Sequence, residues 1–383
     1  MTVTSQPRTC LDFFAGSGLV SLALADFFET VWANDICAKK AQVYIANHGK
    51  QQFVLGAIEN VSGRTLPDTT LSWGSFPCQD LSLAGSMHGL KGSRSSLVWQ
   101  WLRVMDELRV KPPIAVAENV VGLVSSAGGE NYRKVHEALS KRNYHVGAVM
   151  LDASHWVPQS RKRIFVIAVD KHLDITPFVS DGPLWCHPAP IRRVSSIVEQ
   201  WVWWKLPLPQ SKPPKLESIV EFDAPCDSGE KRDYLLSMIP EKHLEAVRLF
   251  AKKGRHVFPA YKRTRNRRQV LELRFDGLAG CLRTPEGGSS RQVLVIAEDG
   301  VLKTRLLTVR ETARLMGAPE DYKLPGSYND GYKAMGDAVA VPVARFLAEN
   351  LLAPIAAQAG QRPTREKESP DVAGTTFFLR QNP

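Results

Sequence analysis

Residues 9–35 read TCLDFFAGSGLVSLALADFFETVWAND, a pattern that predicts two strands joined through a helix. The apolar run TCLDFF predicts a strand, LVSLALADFF predicts a helix, and TVWAND predicts a second strand. Gly16 and Gly18 lie between the first strand and the helix, where glycine permits a positive φ and the close approach of a ligand to the backbone. Ser21 occupies the place of the third glycine of the dinucleotide fingerprint, so the pattern does not favour nicotinamide binding.

An acidic residue ends this unit. Asp35 follows Gly16 by 19 residues and closes the second predicted strand. A carboxylate in that place can accept hydrogen bonds from both hydroxyls of a ribose, which would suit NAD, adenosine or S-adenosylmethionine equally. The alternative is an aspartate that caps the next helix.

Strand and helix patterns alternate to about residue 170, which predicts an α/β fold with a doubly wound, mostly parallel sheet and ligands at the carboxyl ends of its strands. After about residue 175 the chain is rich in Pro and Trp, which predicts a second, smaller domain packed around Trp201, Trp203 and Trp204. Helical patterns return with TVRETARLMG. We expect a first domain at 1–178, the smaller domain at 179–300, a segment returning to the first domain at 301–355, and a disordered tail at 356–383.

The charge of the chain favours a polyanionic partner. The 383 residues carry a formal net charge of +10, and nine basic residues but one acid, Glu272, lie between Ala251 and Phe275. A solvated charged face is the alternative, but Phe258 and Tyr261 among the charges favour an ordered nucleic-acid surface. Six scattered cysteines without a CxxC pair predict neither a disulfide framework nor a metal site. The start of the chain lacks a secretory pattern, and no apolar run approaches a membrane span, so we expect a soluble intracellular protein.

The sequence GSFPCQD at 74–80 places a cysteine after a proline at the end of an apolar strand. Pro77 fixes φ, so Cys78 is expected in a rigid turn where the sheet would bind ligands. Forty residues later IAVAENVVGL ends another apolar strand with Glu118 and Asn119. A carboxyl group at a hydrophobic strand end can hold a proton for donation. A helix cap is the alternative for Glu118.

Together the motifs LDFFAGSG, GSFPCQDLS, AENV, QSRKRIFVIA, RLLTVRETARLMGAPEDY and GDAVAVPV resemble, in order, those of the DNA cytosine-5 methyltransferase family, bacterial or phage type. The resemblance covers residues 9–170 and about 300–352. It implies the Rossmann-like fold of S-adenosylmethionine-dependent methyltransferases, with a smaller target-recognition domain. One tRNA-modifying subgroup shares these motifs, and a catalytically silent DNA-binding protein of the same fold is a further alternative.

The resemblance assigns catalytic roles. The thiolate of Cys78 would attack C6 of cytosine, and Glu118 would supply a proton or hydrogen bond at N3. Arg163, and Arg161 with it, would hold the base O2 and the Glu118 carboxylate; a surface basic pair is the alternative. The same resemblance implies S-adenosylmethionine as the cofactor and no metal. Its predicted cofactor residues are Phe14, Gly16, Ser17, Gly18, Asp35, Ile36, Ile58, Pro77, Leu97, Asp337 and Val339.

Two positions depart from the family pattern. Ala57 occupies the place of the acid that meets the adenine amino group, so backbone or Glu59 would have to take over, at a loss of about 0.5–1.5 kcal/mol. Leu19 follows Gly18 where a second glycine is usual.

The predicted partner is double-stranded DNA, from which the target base must be flipped out. The Gly- and Ser-rich run after Cys78 is expected to close over the DNA as a lid. We expect a monomer in the bacterial cytoplasm, near the nucleoid, with a cognate restriction endonuclease as a candidate partner. The residues predicted to bind DNA are Ser82, Lys91, Arg94, Arg263, Arg265, Arg267, Arg268, Arg283, Thr284 and Arg291.

Overall fold

A large sheet forms the centre of the protein in the computed structural model, which describes residues 8–77, 97–210, 212–283 and 291–359. Its strands are β1 Thr9–Phe13, β2 Glu29–Asp35, β3 Phe53–Leu55, β4 Leu71–Gly74, β5 Ile114–Val120, β6 Tyr144–Asp152 and β7 Lys162–Asp170. Their order is β3-β2-β1-β4-β5-β7-β6. The first five are parallel, while β7 runs antiparallel to both of its neighbours. The predicted doubly wound, mostly parallel sheet is confirmed.

Helices cover both faces of this sheet, and its strands are therefore buried on both sides. In β1, Leu11 and Phe13 face one core cluster and Cys10 faces the other, as the two-residue period of a strand requires. The first face carries α3 Leu97–Glu107, α5 Glu130–Ser140 and α6 Ala189–Ser195, with the short α4 Gly122–Ser125 beside them. The second face carries α1 Leu19–Leu24 and, from the end of the chain, α9 Val309–Leu315, α10 Tyr328–Asp337, α11 Val341–Leu347 and α12 Ala353–Ala359. Helix α2, Ala38–His48, follows β2.

A smaller antiparallel sheet follows in the chain. It has the order β11-β10-β8-β9, with β8 His256–Arg265, β9 Arg268–Leu273, β10 Val293–Glu298 and β11 Val301–Leu306. Helices α7 Gly229–Ser237 and α8 Glu241–Ala251 cover one of its faces. Val257, Leu294 and Ile296 from the other face join a core cluster of the large sheet. The two sheets are therefore packed together through shared apolar side chains.

The segment between the two sheets packs differently from the prediction. Trp204 is fully buried and its Nε1 donates to the carbonyl of Ile167 in β7 at 3.2 Å. The Val202 N–H donates to the carbonyl of Val146 in β6 at 3.1 Å, and Trp201 and Trp203 also pack on the large-sheet side. Trp204 belongs to the core cluster on one face of the large sheet, and Trp201 and Trp203 pack against the cluster on the other face. The expectation that these tryptophans form the core of the smaller domain was therefore wrong.

The predicted domain boundaries stay predictions, which the contacts qualify in two places. Strand β11 belongs to the smaller sheet, although it starts at residue 301. Helix α12 continues to Ala359 with Ile355 and Ala356 buried, so the first residues of the expected disordered tail are helical. Among the described residues, the helical stretch Tyr328–Ala359 is long and apolar enough to cross a membrane, but most of its apolar part is buried inside the protein, as in an ordinary core helix.

Candidate active site

One edge of the large sheet collects the predicted site residues. The carboxyl ends of β1, β2, β4 and β5 meet there because these strands are parallel. Strand β7 runs the other way, so it begins at the same edge, and its Arg163 pairs with Val120 at the end of β5. The same edge of the sheet therefore carries Asp35, Glu118 and Arg163.

Asp35 holds the glycine turn against the start of α2. The Gly16 N–H donates to its Oδ2 at 3.0 Å, and the Cys37 N–H donates to its Oδ1 at 2.8 Å. The side chain makes no cap bond within α2 itself, whose N-cap residue is Cys37. Each carboxylate oxygen keeps a further lone pair, so the group can accept additional donors such as hydroxyls.

Two neighbouring segments are tied to this turn. The Asn34 side chain donates to the carbonyl of Gly56 at 2.8 Å, and the Gly56 N–H donates to the carbonyl of Asp35 at 3.0 Å, which brings the start of the Ala57 segment beside Asp35. Lys40 and Asp337 form an ion pair at 2.5 Å, which brings the end of α10 to the same place. Sequence reasoning did not single out Asn34 or Lys40.

The remaining predicted cofactor residues differ in what they expose. Ile36 is 72% exposed, so its apolar surface is free for a ligand. Ile58 and Val339 are buried in the core, and the Ser17 hydroxyl donates to the carbonyl of Ala334. Ile58, Val339 and Ser17 can therefore contact a ligand mainly through their backbone N–H and C=O groups. Phe14 directly follows β1, Pro77 lies three residues beyond the end of β4, and Leu97 is the first residue of α3.

The side chains and backbone around the glycine turn fit an adenosyl amino acid. Gly16 and Gly18 have φ of +56° and +84°, and a Cβ on Gly18 would lie 2.6 Å from the His48 ring. Asp12 is fully buried, and its Oδ2 accepts from the Ser21 hydroxyl at 2.7 Å, but its Oδ1 has no partner among the described residues. Burial raises the pKa of Asp12 to about 7. The Asp35 carboxylate, whose oxygens can accept further donors, and the exposed apolar side chain of Ile36 suit a ligand with vicinal hydroxyls and a flat ring.

Glu118 forms the centre of the second group. It is buried, and Arg163 Nε lies 3.2 Å from its Oε1. Burial raises the pKa of Glu118, while the charges of Arg163 and Arg161 and a hydrogen bond from Ser75 oppose that rise. The carboxyl group is thus held with a guanidinium beside it and a greater tendency to stay protonated.

Asn119 connects Glu118 to the segment that leads to Cys78. Its side-chain Nδ2 donates to the carbonyl of Phe76 at 3.0 Å, and Phe76 is buried. Residues 76 and 77 are therefore fixed against the end of β5. Cys78 itself lies outside the described residues, as do Ser82, Lys91, Arg94, Thr284 and the run predicted to be a lid.

Arg161 has a different environment from Arg163. Its guanidinium is 1% exposed and donates to the carbonyls of Leu282, Gly336 and Ala338 at 2.6–2.9 Å. Burial lowers the pKa of Arg161 to about 10. The guanidinium is engaged with backbone from two distant segments, so its predicted contact with the base stays a prediction that these bonds do not favour.

Cys281 is a thiol that sequence reasoning did not place in the site. Its Sγ lies 3.3 Å from Arg161 Nη1 and 3.9 Å from Arg163 Nη1. Burial alone would raise the pKa of this thiol, but the adjacent guanidinium groups of Arg161 and Arg163 outweigh burial and lower it. No sequence pattern near Cys281 indicated this, because the contact joins residues about 120 positions apart.

The predicted DNA-binding arginines are concentrated at the turn between β8 and β9. Arg265 pairs with Arg268 across the turn, and Asn266 and Arg267 have φ of 48° and 64°. Arg265 bonds to Glu272 at 2.6 Å and Arg263 lies over the Tyr261 ring. Within the described residues, no hydrogen bond or ion pair involves the exposed side chains of Arg267 and Arg268. Elsewhere, Arg283 is exposed and Arg291 donates to the Asn329 side chain.

The sheet order, the glycine turn after β1 and the acid at the end of β2 define a Rossmann-like protein with a site for a ligand that carries a ribose. The buried Glu118 near the end of β5 and Arg163 at the start of β7 are additional to that general design.

The chain belongs to the C-5 cytosine-specific DNA methylase family, and the match spans residues 8–353. Enzymes of this family transfer a methyl group from S-adenosylmethionine to cytosine C5 in DNA, and this is the activity of the protein. The resemblance noted in the sequence is confirmed.

Curated relatives are similar over nearly their whole length. The type II methyltransferase M.HhaI of Haemophilus parahaemolyticus is 29% identical over 347 residues, covering 89% of this chain and 93% of that protein. M.Bsp6I of Bacillus sp. (strain RFL6) is 26% identical over 348 residues, covering 88% and 96%. The crystal structure of S. pombe Dnmt2 methyltransferase matches with a TM-score of 0.58 at 19% identity, covering 91% of this chain and 99% of that chain. That last likeness shows the fold alone.

Proposed function

We propose that the protein methylates a flipped-out cytosine within a specific double-stranded DNA sequence through a covalent bond between Cys78 and C6. The observation that carries this proposal is the buried pair of Glu118 and Arg163, 3.2 Å apart, at the strand end that Asn119 ties to Phe76. This arrangement brings a carboxyl group whose pKa is raised by burial close to the chain segment that leads to Cys78.

The residues act on the base in sequence. The Cys78 thiolate forms a bond to C6, and the electron pair of the C5–C6 double bond moves towards C5. Glu118, whose pKa is raised by burial, donates a proton or hydrogen bond at N3 as negative charge develops there. Arg163 then stabilises the resulting Glu118 carboxylate and can donate to O2 of the base. After C5 has taken the methyl group, a base removes the C5 proton and the Cys78 thiolate departs from C6, which restores the C5–C6 double bond. The proton at N3 returns to the Glu118 carboxylate.

The glycine turn would hold the cofactor. Backbone from Phe14 to Gly18 would lie against its amino acid part, Asp35 would accept from its ribose hydroxyls, and Ile36 would contact its adenine. S-adenosylmethionine supplies the electrophilic methyl group that C5 accepts. Because Ala57 provides no carboxylate, backbone near Ile58 would have to recognise the adenine amino group.

We also propose that the β8–β9 turn contacts DNA. An arginine in the left-handed region costs on the order of 1 kcal/mol, and Arg267 adopts it in a two-residue turn where glycine is preferred. Its guanidinium and that of Arg268 are exposed and available for phosphates. The remaining predicted DNA contacts at Arg263, Arg265, Arg283 and Arg291 belong to the same proposal, although Arg265 and Arg291 already have partners.

The finer setting is proposed on the same basis. The smaller sheet with its two helices would be the target-recognition domain, and the protein would act as a monomer in the bacterial cytoplasm. A cognate restriction endonuclease would accompany it if it serves in restriction and modification, as the type II names of its relatives suggest.

Methyl transfer and covalent trapping test the proposal together. Protein is incubated with labelled S-adenosylmethionine and either duplex DNA or tRNA, and separately with S-adenosylmethionine and duplex DNA that contains 5-fluorocytosine, whose C5–F bond blocks the final proton loss after methyl transfer. We expect label in DNA and a covalent adduct at Cys78. Cys78→Ser should abolish both, while the matched variant Cys281→Ser should still form the adduct. Label in tRNA alone, or an adduct mapped by mass spectrometry to another residue, would overturn the proposal.

A further inference from the structure

The guanidinium of Arg161 joins two parts of the chain that are far apart in sequence. Nη1 donates to the carbonyl of Leu282 at 2.9 Å, and Nη2 donates to the carbonyls of Gly336 and Ala338 at 2.8 and 2.6 Å. The backbone N–H of Arg161 donates to Asp152 Oδ1 at 2.8 Å, which fixes the start of β7. A planar fork can bond to both segments at once, which a lysine ammonium cannot match in geometry.

One of these segments leads into the predicted DNA-binding residues. The Ser160 N–H donates to the carbonyl of Ala279 at 2.9 Å, and the Leu282 N–H donates to the Gln159 side chain at 3.0 Å. Residues 279–282 therefore lie along the Gln159–Arg161 segment like a short added strand. Arg283, exposed and predicted to meet DNA, follows directly.

The other segment belongs to the predicted cofactor site. Gly336 and Ala338 flank Asp337, which forms the ion pair with Lys40 beside the glycine turn. Any ordering of the Asp337 turn by a ligand at Asp35 would therefore act on the two carbonyls that Arg161 Nη2 holds. Both ends of this connection are buried, so water cannot easily replace either set of bonds.

We propose that Arg161 is a positioning residue that couples cofactor binding to DNA binding, rather than a group that touches the base. Ordering of the 336–338 turn by the cofactor fixes the guanidinium, and the fixed guanidinium orders the 279–282 segment for DNA. By linkage, DNA must strengthen cofactor binding by the same factor. This inference rests on the proposed function, because it takes the two segments to serve the cofactor and the DNA.

The test measures the affinity for a duplex oligonucleotide with and without S-adenosylhomocysteine, in wild type, Arg161→Lys and Arg163→Lys. We expect the cofactor product to tighten DNA binding by about fivefold or more in wild type. Arg161→Lys should reduce that ratio to within about twofold of one, while DNA binding without the cofactor product changes less. Arg163→Lys should keep the ratio and lose turnover, because Arg163 contacts Glu118 and reaches the 279–282 segment only at the Cys281 thiol, without a bond to the carbonyls that Arg161 holds.

A measurement on wild type keeps the inference falsifiable if Arg161→Lys fails to fold. S-adenosylhomocysteine alone should slow amide hydrogen exchange in the peptide that contains residues 278–283. A wild-type ratio near one, an unchanged ratio in folded Arg161→Lys, or unchanged exchange in this peptide would each overturn the coupling. Failure of wild type to bind DNA or the cofactor product would instead count against the proposed function.

Discussion

Replacing Asp12 by asparagine should change the pH dependence of stability in a specific direction. Asp12 is fully buried, and burial raises its pKa from 3.8 to about 7. In the unfolded chain the carboxyl group loses its proton near pH 4, whereas the folded protein retains it until about pH 7. Between these values the unfolded state binds fewer protons, so the Asp12 contribution to stability falls as the pH rises.

The magnitude follows from the shift. At about 1.4 kcal/mol per pKa unit, the buried carboxyl group destabilises the fold by about 1.7 kcal/mol at pH 5 and about 4.5 kcal/mol at pH 8. The amide introduced by Asp12→Asn would not titrate, and the cost of its extra donor, about 1–3 kcal/mol, does not depend on pH. The variant should therefore gain about 3 kcal/mol relative to wild type between pH 5 and pH 8.

Thermal unfolding at the two pH values measures this gain. For a chain of 383 residues, an unfolding entropy of about 2.1 cal/mol/K per residue converts 3 kcal/mol into ~4 °C. The Tm of Asp12→Asn minus that of wild type should rise by this amount from pH 5 to pH 8. Asp68→Asn, which removes an exposed carboxylate paired with Arg109, serves as the control and should show no comparable rise. An equal difference at both pH values, or a smaller one at pH 8, would refute the reasoning.

Three further changes have defined outcomes. Glu118→Gln should lower kcat at least about 10²-fold with little change in Tm, and should abolish the alkaline decline in activity expected from the raised pKa of Glu118; a retained decline would assign it to another group. Arg267→Ala should reduce the slope of log affinity for DNA against log salt concentration by about 1. The control Arg133→Ala, which removes an arginine paired with two glutamates of α5, should leave the slope unchanged. Equal slopes in the two variants would show that Arg267 does not contact DNA. Gly147→Ala should lower the free energy of unfolding in urea by about 3 kcal/mol or more, since its Cβ would lie 2.0 Å from the Val202 carbonyl oxygen. The control Gly229→Ala, in open space, should be nearly neutral. Similar losses of stability in both variants would contradict the close packing at Gly147.

Local sequence patterns were sufficient for most of the large sheet. The apolar runs of β1 and β5 and the glycines after β1 are short-range features, and their predicted strands and turn agree with the structure. The three-residue strand β3 was missed because FVL is too short to show a period. The partners of Trp204 were misassigned because aromatic content shows that a residue is buried but not which surface buries it.

The site was predictable only where a motif lies on a single strand end. Glu118 and Arg163 were identified in this way, and their contact follows from the pairing of β5 with β7. Asp12 could have been found, because an acid within an apolar strand is unusual. Cys281, Gln159 and the true partners of Arg161 could not, since they depend on contacts between residues more than 100 positions apart.

The late position of the 336–338 turn has a consequence for biosynthesis. The ribosome synthesises all strands of the large sheet, including Glu118 and Arg163, well before it reaches Gly336 and Ala338. Helix α1 packs against α11, which is also synthesised late. A nascent chain released from the ribosome at residue 320 would therefore contain the chemical groups without the carbonyls that anchor Arg161. Competence should therefore arise when the 336–338 turn has been made rather than gradually during translation.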